Sequence, residues 1–204
     1  MSAPAPSEHV WWLASRASGI VALALVTLSV GVGLAMAGKT MRKPGLGKAL
    51  MAVHEHASLA ALIAIAVHGV TLLGDPFLRP ALVDIAVPFA GDYRPVPTGI
   101  GIVGGYLAAA LGLSFYFRKR IGPKLWRSAH RATVLIYVMS VIHTLGSGTD
   151  ASTPWLRGAL IATGAPILCL FVIRVLPRAP SEGRAKQDAP AKPKRAPEPA
   201  GQLS

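Results

Sequence analysis

Apolar runs of about 20 residues, nearly free of charge, dominate this chain and limit what it can fold into. A helix rising about 1.5 Å per residue crosses roughly 30 Å of hydrocarbon in that length. A soluble domain of 204 residues could bury a good core, but it would break such runs with polar positions. With 52% hydrophobic and only 15% charged residues, little is left to break them. The expected class is all-α: a multi-pass transmembrane helical bundle whose backbone groups are satisfied within each span.

About five spans are expected, at 17–37, 49–73, 98–117, 128–145 and 155–176, following an N-terminal segment at 1–16. Ala35-Met36-Ala37 has the look of a leader-cleavage site. The apolar core before it is too long for a leader, though, and the positive charges follow the run instead of preceding it, so a retained helix is expected. Gly101, Gly104, Gly105 and Ala108 suit close helix packing in the third span, and Pro166 is expected to kink the fifth. In the long connection 76–97, the segment 81–87 reads as a short interfacial helix. Cys169, the single cysteine, excludes an internal disulfide and reads as a small core residue.

The net charge of +12 is spread over short connections and a tail, not gathered on one face beside a nucleic-acid-binding motif. Nucleic acid is therefore not an expected partner, and topology explains the charge better. The connection 38–48 carries four basic residues and no acid; 118–127 carries five and no acid. By contrast, 74–97 has two basic and three acidic residues, and 146–154 has only Asp150. Positive-inside counting puts the basic links and the C-terminus in the cytoplasm and the N-terminus outside, in a plasma or inner membrane. The Ala-, Pro- and Lys-rich segment 177–204 reads as a disordered basic tail near anionic lipid headgroups.

Four of the six histidines fall inside two of these runs. His54 and His68 lie 14 positions apart in the second span; His130 and His143 lie 13 apart in the fourth. Ionisable residues at membrane depth are costly and mark function. Both spans run in the same direction, so His54 matches His130 in depth near the inner surface, and His68 matches His143 near the outer. Each rung offers two imidazoles, the axial set of a low-spin b-type haem, and the rungs stand roughly 20 Å apart. Two haem b groups, with these four histidines as iron ligands, are the expected cofactors. Zinc fits less well, because neither rung adds the cysteine or carboxylate ligands that zinc prefers. At 100° per residue, 14 positions return to within about 40° of the starting face, whereas 13 miss it by about 140°. The fourth span therefore needs a local distortion or a haem approached from another side. His56 is the alternative inner ligand, and His9 has no expected role.

Haem propionates need cations. Arg127 and Arg131 flank His130 on the inner side. Arg16 begins the first span against the positive-inside trend, which either an outer propionate or interfacial snorkelling would explain; Arg94 is a weaker outer candidate. Trp126, Tyr137 and Trp155 read as belt or packing residues.

The chain resembles the ferric reductase-like transmembrane domain family, which includes metalloreductases, NADPH oxidase membrane domains and the haem subunit of bacterial methionine-sulfoxide repair. The resemblance rests on His54-Glu55-His56-Ala57-Ser58-Leu59, on Ala66-Val67-His68-Gly69-Val70, and on Trp126-Arg127-Ser128-Ala129-His130-Arg131 followed by His143, with weaker support from Ser15-Arg16-Ala17-Ser18-Gly19. It covers about half the chain, 49–148. It implies two bis-histidine b haems in a helical bundle. Many members have six spans and continue into flavin and nicotinamide domains, whereas this sequence has five runs and no Gly-rich phosphate loop. Flavin is then expected only through a partner.

The expected function is transmembrane electron transfer. A separate flavin reductase or quinol would be the donor, the outer acceptor is unassigned, and the chain would be the haem-bearing component of an oxidoreductase system. The alternatives are a non-redox haem-binding scaffold or sensor, and a proton-coupled transporter using the histidines as relays. Transport predicts a polar route and discontinuous helices, and these spans offer little polarity beyond the histidines.

Overall fold

A computed structural model describes residues 6–37 and 45–176. The tail expected at 177–204 and most of the first basic link lie outside them. Among the described residues there are seven helices and no strand. They are α1 (Pro6–Ala37), α2 (Leu46–Leu72), α3 (Leu82–Ala86), α4 (Pro95–Ile121), α5 (Pro123–His130), α6 (Thr133–Ser147) and α7 (Pro154–Val175).

Proline and glycine set most of these boundaries. α4, α5 and α7 each begin on a proline, whose missing N–H costs nothing in the first turn. Gly122, at φ 91°, turns the chain between α4 and α5, a backbone conformation that other residues adopt only under strain. α3 fills part of the expected interfacial segment, where Asp84 accepts a hydrogen bond from the Ala81 N–H at 2.8 Å. Phe89 then lies over Gly99, and the Tyr106 hydroxyl donates to the Ala86 carbonyl, which fastens this connection to α4.

Four helices are long and apolar enough to cross a membrane: His9–Ala37 within α1, then α2, α4 and α7. The run expected as one span at 128–145 is instead divided between α5 and α6. At Arg131-Ala132 the hydrogen bonds shorten to three-residue steps, Arg131 N–H to Ser128 O at 3.3 Å and Ala132 N–H to Ala129 O at 2.9 Å. α6 has 15 residues, short of the roughly 20 a perpendicular crossing needs. α7 runs through Pro166 as one element.

α1 lies along α2, and α4 lies along α6; these are the two most extensive pairings. Val26, Val30, Ala61, Ala108, Ile136, Tyr137 and Ile167 meet at the centre, drawn from α1, α2, α4, α6 and α7. Gly104 lies under Met139 and Gly112 under Leu62, where an added Cβ would come within 3.3 and 3.2 Å of the neighbour. The outer faces carry Ile63, Val70, Ile161 and Leu168, each more than 60% exposed, as expected where lipid replaces water. Cys169 is exposed among them, not in the core as expected. Lipid satisfies an apolar side chain as well as a core does, so hydrophobicity alone does not sort inside from outside.

Candidate functional site: two histidine pairs

The four span histidines meet in two pairs. His54 of α2 and His130 of α5 have ring centroids 6.0 Å apart, with planes at 84°. His68 of α2 and His143 of α6 have centroids 6.1 Å apart, with planes at 75°. The turn at Arg131-Ala132 accommodates this: it breaks the helical phase between positions 130 and 143, which a continuous helix would place about 140° apart.

Three of the four rings are held in the same way. Nδ1 of His68 donates to the Ser15 carbonyl at 2.8 Å, Nδ1 of His54 to the Ser29 carbonyl at 2.9 Å, and Nδ1 of His143 to the Pro97 carbonyl at 2.9 Å. A carbonyl inside a helix already accepts the amide four residues on and has one lone pair left. The side chain at that fourth residue leans back over it and would block access. In all three cases that residue is glycine. Gly19 follows Ser15, Gly33 follows Ser29, and Gly101 follows Pro97. An added Cβ would lie 3.0 Å from His68 Nδ1 at Gly19, 3.3 Å from His54 Cε1 at Gly33, and 2.6 Å from His143 Cγ at Gly101.

This explains a sequence signal that the histidines alone did not reveal. α1 carries Ser-x-x-x-Gly twice, 14 positions apart, matching the 14-residue step of His54 and His68 on antiparallel α2. Both serines are buried. Ser15 Oγ donates to the His68 carbonyl at 3.3 Å, and Ser29 Oγ lies 2.7 Å from Ser58 Oγ. Since a carbonyl only accepts, each bonded Nδ1 is the protonated nitrogen. Nε2 keeps the lone pair and is available to a metal.

His130 is different. Its Nδ1 is buried and finds no hydrogen-bond partner among the described residues. Along α4, the positions 13 and 14 residues beyond Gly101 are Ser114 and Phe115, not glycine. They hold Trp126 instead: its Nε1–H donates to Ser114 Oγ at 3.1 Å, and its ring lies 6.1 Å from that of Phe115. Trp126 in turn stacks on His130 at 4.8 Å and 22°.

The cations divide between the two ends. Arg127 and Arg131 line a cavity of about 460 Å³ with His54 and His130, as their place in sequence suggests. Arg174 of α7, which the sequence did not single out, lines it as well. At the other end Arg16 forms a two-point ion pair with Asp150, at 2.7 and 2.6 Å, and lies over the Trp12 ring. Asp150 is buried, and it supplies a reason for Arg16 other than a propionate or snorkelling. Arg94 donates to the Gly146 carbonyl at 2.8 Å and borders a separate open cleft with Arg157.

His56 and His9 stay outside both pairs. His56 is exposed, and its Nδ1 donates to the Ala52 carbonyl of its own helix at 2.7 Å; His9 is exposed near the start of α1. Tyr137 is buried in the core and Trp155 is exposed. Among the described residues no three or more histidine, cysteine or acidic side chains gather as a metal-ion site; the histidines meet only in twos. No protein-family model matches this chain, and neither the curated proteins nor the solved structures return a similar protein.

Proposed function

We propose that the two histidine pairs hold two b-type haems and that the protein carries electrons across a cell membrane, as a relative of the ferric reductase-like membrane domains. One observation carries the reading. An imidazole nitrogen stands about 2 Å from a bound metal, taking zinc as guide, and its ring centre lies about 1 Å further back, so a metal between two imidazoles separates their centroids by about 6 Å. The two separations are 6.0 and 6.1 Å. Edge-to-face packing spans the same range; what sets these pairs apart is that three of the four rings also bind a carbonyl through Nδ1, which leaves Nε2 for a metal.

Haem supplies the one-electron step, and the chain supplies ligation, spacing and dielectric. His54, His68 and His143 are held with Nδ1 protonated and Nε2 free. The 14-residue step on α2 sets the rungs about 21 Å apart along the helix. Arg127 and Arg131, joined by Arg174, offer guanidinium groups to propionates at the His54–His130 end. In this reading the broken α5–α6 segment is the fifth crossing. The N-terminus is outside, the basic links face the cytoplasm, a flavin reductase or quinol donates, and the acceptor lies on the outer side. The membrane is the plasma or inner membrane.

A reduced-minus-oxidised spectrum with pyridine haemochromogen quantification on protein from haem-replete cells tests this. Two haems per chain, low-spin in both oxidation states, is the expected result. Protein that folds without haem would refute the proposal and leave the imidazole pairs to a non-redox role such as a proton relay.

A further inference from the structure

The two pairs are not built alike. In His68–His143 both Nδ1–H groups donate to carbonyls, at 2.8 and 2.9 Å. In His54–His130 only His54 does so, and the buried Nδ1 of His130 has no partner among the described residues. The stacked Trp126, anchored by Ser114, fixes the plane of His130 where the other three rings rely on a carbonyl. An aromatic face fixes orientation but offers no acceptor to the Nδ1–H. A carbonyl-bonded imidazole is the more basic ligand and favours the oxidised, more positive metal; one without that bond favours it less.

The surrounding charge acts in the same direction. Arg127, Arg131 and Arg174 line the cavity at His54–His130, and among the described residues no aspartate or glutamate lines it with them. Near His68–His143, the positive charge of Arg16 is matched by Asp150 at 2.6 Å, and Arg94, on the Gly146 carbonyl, is exposed and screened by solvent. Uncompensated positive charge favours the added electron, and a neutralised pair does so far less.

We propose that His54–His130 is the higher-potential haem site and His68–His143 the lower, with Trp126 as the positioning residue for His130. This rests on the di-haem reading. In the proposed orientation, an electron from the cytoplasm would settle at the first site, and outward passage would be uphill unless the membrane potential or a strong acceptor drew it on.

A potentiometric titration of the full-length, haem-loaded protein, followed at the reduced haem band, should resolve two one-electron waves. In His143→Ala the surviving wave should be the higher one; survival of the lower wave overturns the ordering, as do two waves that coincide in the unaltered protein. If His143→Ala does not fold, Arg174→Gln decides: the higher wave should move down while the lower stays fixed, and a shift of the lower wave alone overturns the ordering. Trp126→Phe should keep both waves and the low-spin spectrum, whereas Trp126→Ala should broaden or lose the higher wave. A Trp126→Ala protein identical to the parent removes Trp126 from the proposal. Protein that holds no haem, or one haem per chain, fails the di-haem reading itself and not the ordering.

Discussion

Replacing each glycine behind a bonded histidine with alanine should produce a graded series. In an open helix position the change stabilises by about 0.5–1 kcal/mol, because glycine has more backbone freedom to lose on folding. Gly69 and Gly158 are such positions, with nothing within 4 Å of an added Cβ, and serve as controls. At Gly33 the new methyl would be 3.3 Å from His54, so a shift of a few tenths of an ångström suffices and the net effect should be close to zero. At Gly19 the distance is 3.0 Å, and at Gly101 the methyl would lie 2.6 Å from the His143 Cγ. Over-packing of that kind costs about 1–3 kcal/mol, and loss of the Nδ1 hydrogen bond adds about 0.5–1.5 kcal/mol. Gly101→Ala should therefore be destabilised by about 0.5–4 kcal/mol after the helix gain, with Gly19→Ala between it and Gly33→Ala. Thermal unfolding in detergent reads the stability order, and haem content per chain reads the effect on each pair. Gly101→Ala that is as stable as Gly158→Ala, with unchanged haem content, would refute the close approach of His143 to α4.

Other perturbations probe the pairing, the ion pair and the topology. His68→Ala and His143→Ala should each lose the same haem, His54→Ala and His130→Ala the other, and His56→Ala neither; a loss in His56→Ala that matches His130→Ala would move the ligand from position 54 to 56. A double-mutant cycle on Arg16→Ala and Asp150→Ala, read by thermal unfolding, should give a coupling of about 0.5–3 kcal/mol, limited by the partial exposure of Arg16. Additive effects there would show that the pair contributes nothing measurable. An N-terminal tag should be accessible from outside intact cells or right-side-out vesicles, and a tag reached only after permeabilisation would reverse the assigned direction.

Much of this architecture was legible in the sequence. Run length marks α1, α2, α4 and α7, because only helices satisfy their own backbone in hydrocarbon. The matched steps of 14 and 13 positions pair the histidines by depth. The 13-residue step also carried a warning: its poor angular match called for a distortion, and the turn at Arg131-Ala132 is one. Its position was not legible, since neither residue is a glycine or proline and the break consists only of shortened hydrogen bonds. The partners of the rings were harder to see. Gly19, Gly33 and Gly101 look like ordinary small packing residues until it is known which helix lies against which. Asp150 and Arg174 are distant in sequence from the groups they serve, and Trp126 has the composition of a membrane-belt residue.

The helix pairings give the histidines a mechanical role as well. α1 and α2 form one antiparallel hairpin, α4 and α6 another, and direct packing of α2 on α4 is slight by comparison. Each of the two pairs takes one ring from α2 and the other from the α4–α6 half, His130 on the intervening α5 and His143 on α6. A group bound between the rings is thus a clasp across the joint, and its binding free energy adds directly to the cohesion of the two halves. The first hairpin holds both His54 and His68 together with the serine carbonyls they bind, and it is synthesised before the second. Both clasps then close on a single docking event, so losing one loosens the hold of the other.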